Sequence, residues 1–192
     1  AGNTMNDIKD VAIDREAHPN RPLASGVISL DSANKFVKLL WTLSIICVTA
    51  GAYLLTTSQH SAIELVAIYV IAITLMITYD HGPSLKNTGL KGNISISIMV
   101  GAVILYGASS VGQLWNTLVW WTAGVVFFTN LAREIIKDCA DMEADKGTRQ
   151  TLPMSIGLLK SRMTAYVIVM ASLVCLYVCL LYTSDAADEL CR

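Results

Sequence analysis

Apolar residues in this chain arrive in blocks separated by short polar stretches. The first block runs from Phe36 to Leu55, broken only by Lys38 near its start, where a long side chain can reach the membrane interface. A second runs from Ala62 to Thr78, with Glu64 close enough to its boundary to be an interfacial residue. Only TTSQHS separates these two, a segment that suits a tight hairpin turn. After the polar stretch YDHGPSLKNTGLKGN come a third block, Ile94 to Ala108, a turn near SSVGQ, and a fourth block, Leu114 to Leu131. The fourth leads straight into a second polar stretch, and Met163 to Leu181 is the fifth block. Segments of about 20 apolar residues match the thickness of a bilayer core, so the pattern predicts about five spanning helices in an all-α, polytopic membrane helical bundle. Ser95, Ser97, Gly101 and Gly107 in the third block are small residues that let helices pack closely in lipid.

Composition agrees: 54% of the 192 residues are hydrophobic and the mean hydropathy is +0.52. The net charge is −1, and no nucleic-acid partner is expected. Charge placement is more informative. Two crossings separate the N-terminal polar stretch from the lysine-bearing stretch at 79–93, and two more lead to the stretch at 133–153, so all three share one membrane face. Every Lys and Arg except Arg192 falls at or next to that face, while the two opposite turns hold none. By the positive-inside rule the face is cytoplasmic, in a multi-pass protein of the cell membrane. HPNRPLASG, residues 18–26, reads as a turn-rich loop. Beyond it Ser29 is the expected N-cap of the next helix, with Asp31 in its first turn.

Cys47, Cys139, Cys175, Cys179 and Cys191 form no CxxC pair and read as small packing residues. His18, His60 and His81 lack metal-ligand spacing. No GxSxG, phosphate-binding loop or dinucleotide fingerprint occurs.

The chemistry concentrates in two acid clusters. Asp138, Asp141 and Asp145 are spaced three and four residues apart, which stacks three carboxylates on one helix face. Asp7, Asp10 and Asp14 repeat the same offsets. Arg21-Pro22-Leu23 follows the first cluster, and Arg149 with Thr151-Leu152-Pro153 follows the second. Like charges in line destabilise an isolated helix, so a repeated triplet calls for a counter-cation. Carboxylates are hard oxygen ligands, and Mg2+ takes one or two of them while leaving positions open for phosphate oxygens. Two such ions could clamp a diphosphate leaving group. Arg21, Lys86, Lys91, Arg133 and Lys137, on the same face, could add charge-assisted contacts to it, with Lys91 better read as a head-group or topology-setting residue. A divalent-cation transporter would instead place its acids along the spans. Here they gather at span ends beside basic groups that repel a permeating cation.

NDIKDVAID, residues 6–14, resembles the NDxxDxxxD motif of the UbiA family of intramembrane prenyltransferases. KDCADMEAD, residues 137–145, resembles the family's second motif, DxxDxxxD, and residues 79–93 are similar to its Tyr…Leu-Lys…Gly-Asn loop. The resemblance implies nine membrane helices around a central cavity. It implies Mg2+ held by Asn6, Asp7, Asp10, Asp14, Asp138, Asp141 and Asp145, with Asp10 and Asp141 as the catalytic aspartates. Tyr79, Lys86, Arg133, Lys137, Arg149 and Arg21 would bind substrate, and a polyprenyl diphosphate would be the donor. The second motif is most similar to that of archaeal-type members that prenylate geranylgeranylglyceryl phosphate, an ether-lipid step. Aromatic acceptors, as in quinone or chlorophyll synthesis, remain open. His18 stands where many members have arginine, and Ala144 where glycine is common.

Against nine helices, residues 1–182 read as a single prenyltransferase domain truncated at both ends. The tail from Cys179 to Arg192 resembles translated adapter sequence.

Overall fold

A computed structural model describes residues 1–80, 85–143, 145–147 and 149–190. The described residues form helices α1 (Gly2–Ala17), α2 (Leu30–Thr57), α3 (Ile63–Asp80), α4 (Leu90–Ser109), α5 (Thr117–Asp141), α6 (Leu152–Ile156) and α7 (Leu158–Leu190). A 3₁₀ turn at Leu85–Asn87 precedes α4. Two compact units divide the chain, residues 1–54 and residues 55–192.

In the first unit, α1 carries Asp7, Asp10 and Asp14 on continuous helix, as the spacing requires. The Trp41 indole donates to Met5 Sδ at 3.4 Å, tying α1 to α2. The connecting loop closes on its own backbone, with Ser25 N bonded to Arg21 O at 2.8 Å and Ile28 N to Pro22 O at 3.0 Å. Ser29 caps α2 as expected: its Oγ accepts from Ser32 N at 3.1 Å, and Asp31 in the first turn pairs with Lys35 at 2.6 Å.

In the second unit, α5 packs most extensively against α7 and next against α4, and α4 pairs with α3. Its core is Leu131, Ala132, Ile135 and Ala165, flanked by Phe127, Ile94 and Ile168. Close approach of α4 and α5 rests on the small residues that the third apolar block contains. Ser97 is fully buried, and a Cβ on Gly101 would lie 3.3 Å from Ala123 O and 3.4 Å from Phe127 Cβ. Gly107 does not take part, because a Cβ there meets nothing within 4 Å.

One correction to the apolar blocks follows from local hydrogen bonding. The fourth block begins in a turn: the Asn116 side chain accepts from Leu118 N at 3.0 Å and starts α5 at Thr117, three residues later than hydropathy alone indicates. α5 then continues without a break through the polar sequence to Asp141, so the fourth apolar block and the acid motif are one helix. By length and apolarity, the described residues contain three helices able to cross a membrane, Leu30–Thr57, Leu90–Ser109 and Leu158–Thr183, and the shorter apolar helix Ile63–Tyr79. The outward side chains fit a lipid surrounding. Leu159, Tyr166, Val167, Met170, Val174 and Tyr177 are all exposed along α7, a stripe that water would penalise and hydrocarbon accepts.

The two ends of the α3–α4–α5 group differ in character. At one end the Trp115 indole donates to Glu64 at 2.6 Å and Trp115 stacks on Trp120, centroids 6.0 Å apart, an arrangement typical of a membrane interface. At that end Gly112 adopts φ +70, and a Cβ on it would strike the His60 ring at 2.8 Å. The other end joins the 79–93 stretch to the sequence after the second acid motif, through a backbone bridge between Thr88 and Gln150. Those two polar stretches therefore share one end, as the crossing count predicts.

Candidate active site

The second acid motif is built on the last turns of α5. On a 3.6-residue helix Leu131, Glu134, Ile135 and Asp138 lie on one face, and all four are buried. The core thus passes directly into the site, with two apolar residues anchoring two carboxylates.

Asp138 is 6% exposed and accepts from Asn93 Nδ2 at 2.8 Å, across the α4–α5 interface. The bond sits past Leu131, where the apolar part of α5 ends. Burial pushes the Asp138 carboxyl above the usual aspartate range, opposed by the Asn93 hydrogen bond and by the charge of Arg149. A buried carboxylate held by a neutral amide favours the approach of a cation. From Asn93 the polar contacts run deeper: Ser97 Oγ donates to Asn93 O at 2.6 Å, and Asn130 Nδ2 donates to Ser97 Oγ at 3.1 Å.

Asp141 is half-buried at the end of α5. Asp145 lies outside the helix, which corrects the expectation of three carboxylates stacked on one helical face. Its N–H still bonds to Asp141 O at 2.9 Å, but the chain then turns, with Gly147 at φ +84. Asp145 Oδ1 accepts from Arg149 Nε at 2.8 Å. Asp14, in the first unit, takes part in a parallel arrangement: Arg21 Nη1 reaches both of its oxygens, at 2.7 and 2.8 Å. In each motif the last aspartate is thus paired with an arginine downstream of it.

Asn6, Asp7 and Asp10 are half-buried on α1. Tyr79 is half-buried near the C-terminal end of α3. Lys86 falls in the 3₁₀ turn, and its side chain lies outside the described residues, as does Ala144. Arg133 and Lys137 are both more than half exposed and converge on the buried Glu134, at 2.6 and 3.3 Å. Glu134 is a residue that sequence reasoning missed, since its basic neighbours made it look like part of a solvated face. Ser97 and Asn130 were missed as site residues too, and Asn93 was noted only as the last residue of the Gly-Asn loop. One signal was available: Asn130, Glu134 and Asp138 recur every four residues, a polar stripe in an otherwise apolar helix.

Between the 3₁₀ turn and α6 lies a cavity of about 640 Å³, lined by Asn87, Lys146, Arg149, Gln150, Met154 and Ser155. An adjoining cavity of about 490 Å³ adds Leu90, Ile94 and Leu152. Lys146 is exposed and pairs with the more exposed Glu143 at 2.6 Å, a pairing worth little in water.

Among the described residues no three His, Cys, Asp or Glu side chains are grouped closely enough to enclose a metal by themselves. Mg2+ needs no such enclosure, because it characteristically takes one or two carboxylates and completes its shell with water and substrate phosphate. Asp138 and Asp141 are oxygen donors of that kind.

The sequence pattern of the UbiA prenyltransferase family matches residues 1–187. The chain belongs to that family. Among curated relatives, the digeranylgeranylglyceryl phosphate synthase of Methanoculleus marisnigri is 33% identical over 166 residues, 86% of this chain and 55% of that protein. The Pyrococcus furiosus enzyme of the same name is 34% identical over 165 residues, 85% of this chain and 54% of its own length. A solved structure described as "Structural and mechanistic insights into the biosynthesis of Digeranylgeranylglyceryl phosphate synthase in membranes" superposes with a TM-score of 0.67 at 30% identity. That match covers 91% of this chain and 57% of the other. The chain therefore spans about half the length of the curated relatives that it matches, and the shared fold is the all-helical membrane bundle of the family.

Proposed function

We propose that this chain is the part of a Mg2+-dependent prenyltransferase that holds both acid motifs, and that the enzyme transfers a geranylgeranyl group from its diphosphate to geranylgeranylglyceryl phosphate in ether-lipid synthesis. The observation that carries this reading is the gathering, at one end of α4 and α5, of the buried Asp138, the half-buried Asp141 and a cavity lined by Lys146 and Arg149. The names of the curated relatives point to the same acceptor.

In this reading Asn6, Asp7, Asp10 and Asp14 serve one metal position, and Asp138, Asp141 and Asp145 the other. Bound Mg2+ would supply Lewis-acid stabilisation of the diphosphate leaving group. Arg133 and Lys137, oriented by Glu134, would contact phosphate oxygens, with Arg21, Tyr79 and Lys86 as further donors. The allylic C–O bond breaks with its electron pair passing to the diphosphate. The acceptor hydroxyl oxygen then bonds to the allylic carbon and releases its proton. Apolar helices would keep water from that carbon. An acceptor with its own phosphate needs cations beyond those on the diphosphate, and Lys146 and Arg149 line a cavity whose neighbour is faced by Leu90, Ile94 and Leu152, suited to a lipid chain.

The test uses a chimera in which this chain replaces the matching segment of the Methanoculleus marisnigri relative. Offered geranylgeranyl diphosphate with geranylgeranylglyceryl phosphate and 4-hydroxybenzoate in competition, it is expected to yield the ether lipid by mass spectrometry. A prenylated aromatic acid with no ether lipid would overturn the acceptor and leave the reaction class standing.

The same reading puts both acid motifs on the cytoplasmic face of the cell membrane. In a variant freed of native cysteines, single cysteines at Asn87 and Gln150 should be protected from an impermeant thiol reagent in intact cells, and one at Gln59 should be labelled. Opposite labelling of Asn87 and Gln150 would break the shared-face assignment.

A further inference from the structure

We propose that Asn93 is a positioning residue for the second metal site: its amide N–H fixes the rotamer of Asp138, so that the carboxylate meets a divalent cation already oriented. This rests on the Mg2+ reading above.

The geometry is specific. Asn93 is 7% exposed and Asp138 6%, and the two meet at 2.8 Å from elements 45 residues apart in sequence. An ionised carboxylate only accepts hydrogen bonds, so the NH2 of the amide must face it, which settles the orientation of the side chain. Asn93 is held in turn, because its backbone carbonyl accepts from Ser97 Oγ at 2.6 Å and Ser97 accepts from Asn130 at 3.1 Å. A buried amide is costly unless satisfied, and an apolar residue would pack α4 against α5 without that cost. What the amide supplies that Leu cannot is a directed donor to one carboxylate oxygen, Oδ2. Groups that orient a metal ligand in this way typically change metal affinity by about 10–100-fold when removed.

The competing role is that the polar contacts merely join two helices in lipid. Mn2+ binding to this chain in nanodiscs, followed by electron paramagnetic resonance with inorganic diphosphate present, separates the two. Asn93→Leu keeps the four side-chain heavy atoms and the branch at Cγ and removes the donor, while Asn130→Ala removes a contact of the same chain remote from Asp138. The expected result is a loss of Mn2+ affinity of about 10–100-fold in Asn93→Leu, a change within about twofold in Asn130→Ala, and partial recovery in Asn93→Ser. Wild-type affinity in Asn93→Leu, or losses in all three variants that simply track their melting temperatures, would overturn the inference. Asp138→Asn is the control that tells the two readings apart. If it binds Mn2+ as the wild type does, the metal reading itself fails; if it is impaired and Asn93→Leu is not, only the positioning role fails.

Discussion

Asp10→Ala and Asp141→Ala, made separately in the chimera, are each expected to lower prenyl transfer on the order of 10²–10³-fold, equivalent to ~2.7–4 kcal/mol of lost transition-state stabilisation. The two aspartates occupy equivalent positions in the two motifs, each the second of three. If both motifs serve one diphosphate, neither variant can be rescued by the other motif. Initial rates at saturating geranylgeranyl diphosphate check this, and a variant that keeps more than about a tenth of the wild-type rate would mean that its motif is dispensable. EDTA should abolish transfer and excess Mg2+ should restore it. Transfer that continues in EDTA would remove the metal from the reaction.

Gly101→Leu should produce the largest structural effect. A Cβ at this position already lies 3.3 Å from the Ala123 carbonyl, and that neighbour is backbone, which cannot swing aside. Three further carbons must therefore push α4 away from α5, a change that typically costs about 1–3 kcal/mol. The wedge acts on the same interface that brings Asn93 to Asp138, so Mn2+ affinity should fall together with the melting temperature in detergent. Gly107→Leu is the matched control, since a Cβ there meets nothing within 4 Å and its melting temperature should stay close to the wild type. Equal melting temperatures for the two variants would show that α4 and α5 are not held by this contact.

The helices were legible in the sequence because a bilayer sets their length, and runs of Leu, Ile and Val longer than a soluble helix requires are hard to mistake. Their ends were legible only in part: Ser29 was recognisable as the cap of α2, whereas Asn116 starts α5 through one side-chain bond that no hydropathy average detects. The acid motifs were legible as repeated spacings, and the pairing of Arg21 with Asp14 was not, because a turn of the loop brings together residues seven apart. The contact of Asn93 with Asp138 was beyond reach for a related reason. It depends on the relative rotation of two helices, which is decided by small residues such as Ser97 and Gly101, one and two turns farther along the interface. Glu134 was obscured by composition, since an acid between Arg133 and Lys137 resembles ordinary surface charge until the burial of its side chain is seen.

The unbroken course of α5 from Thr117 to Asp141 constrains how the gene can change. Each residue of an α-helix advances the chain by about 1.5 Å and rotates it by about 100°. Inserting or deleting a single codon between Ile135, anchored in the core, and Asp138 would therefore swing the carboxylate a quarter-turn away from Asn93. Viable relatives should accordingly hold the spacing from Leu131 to Asp141 without a gap.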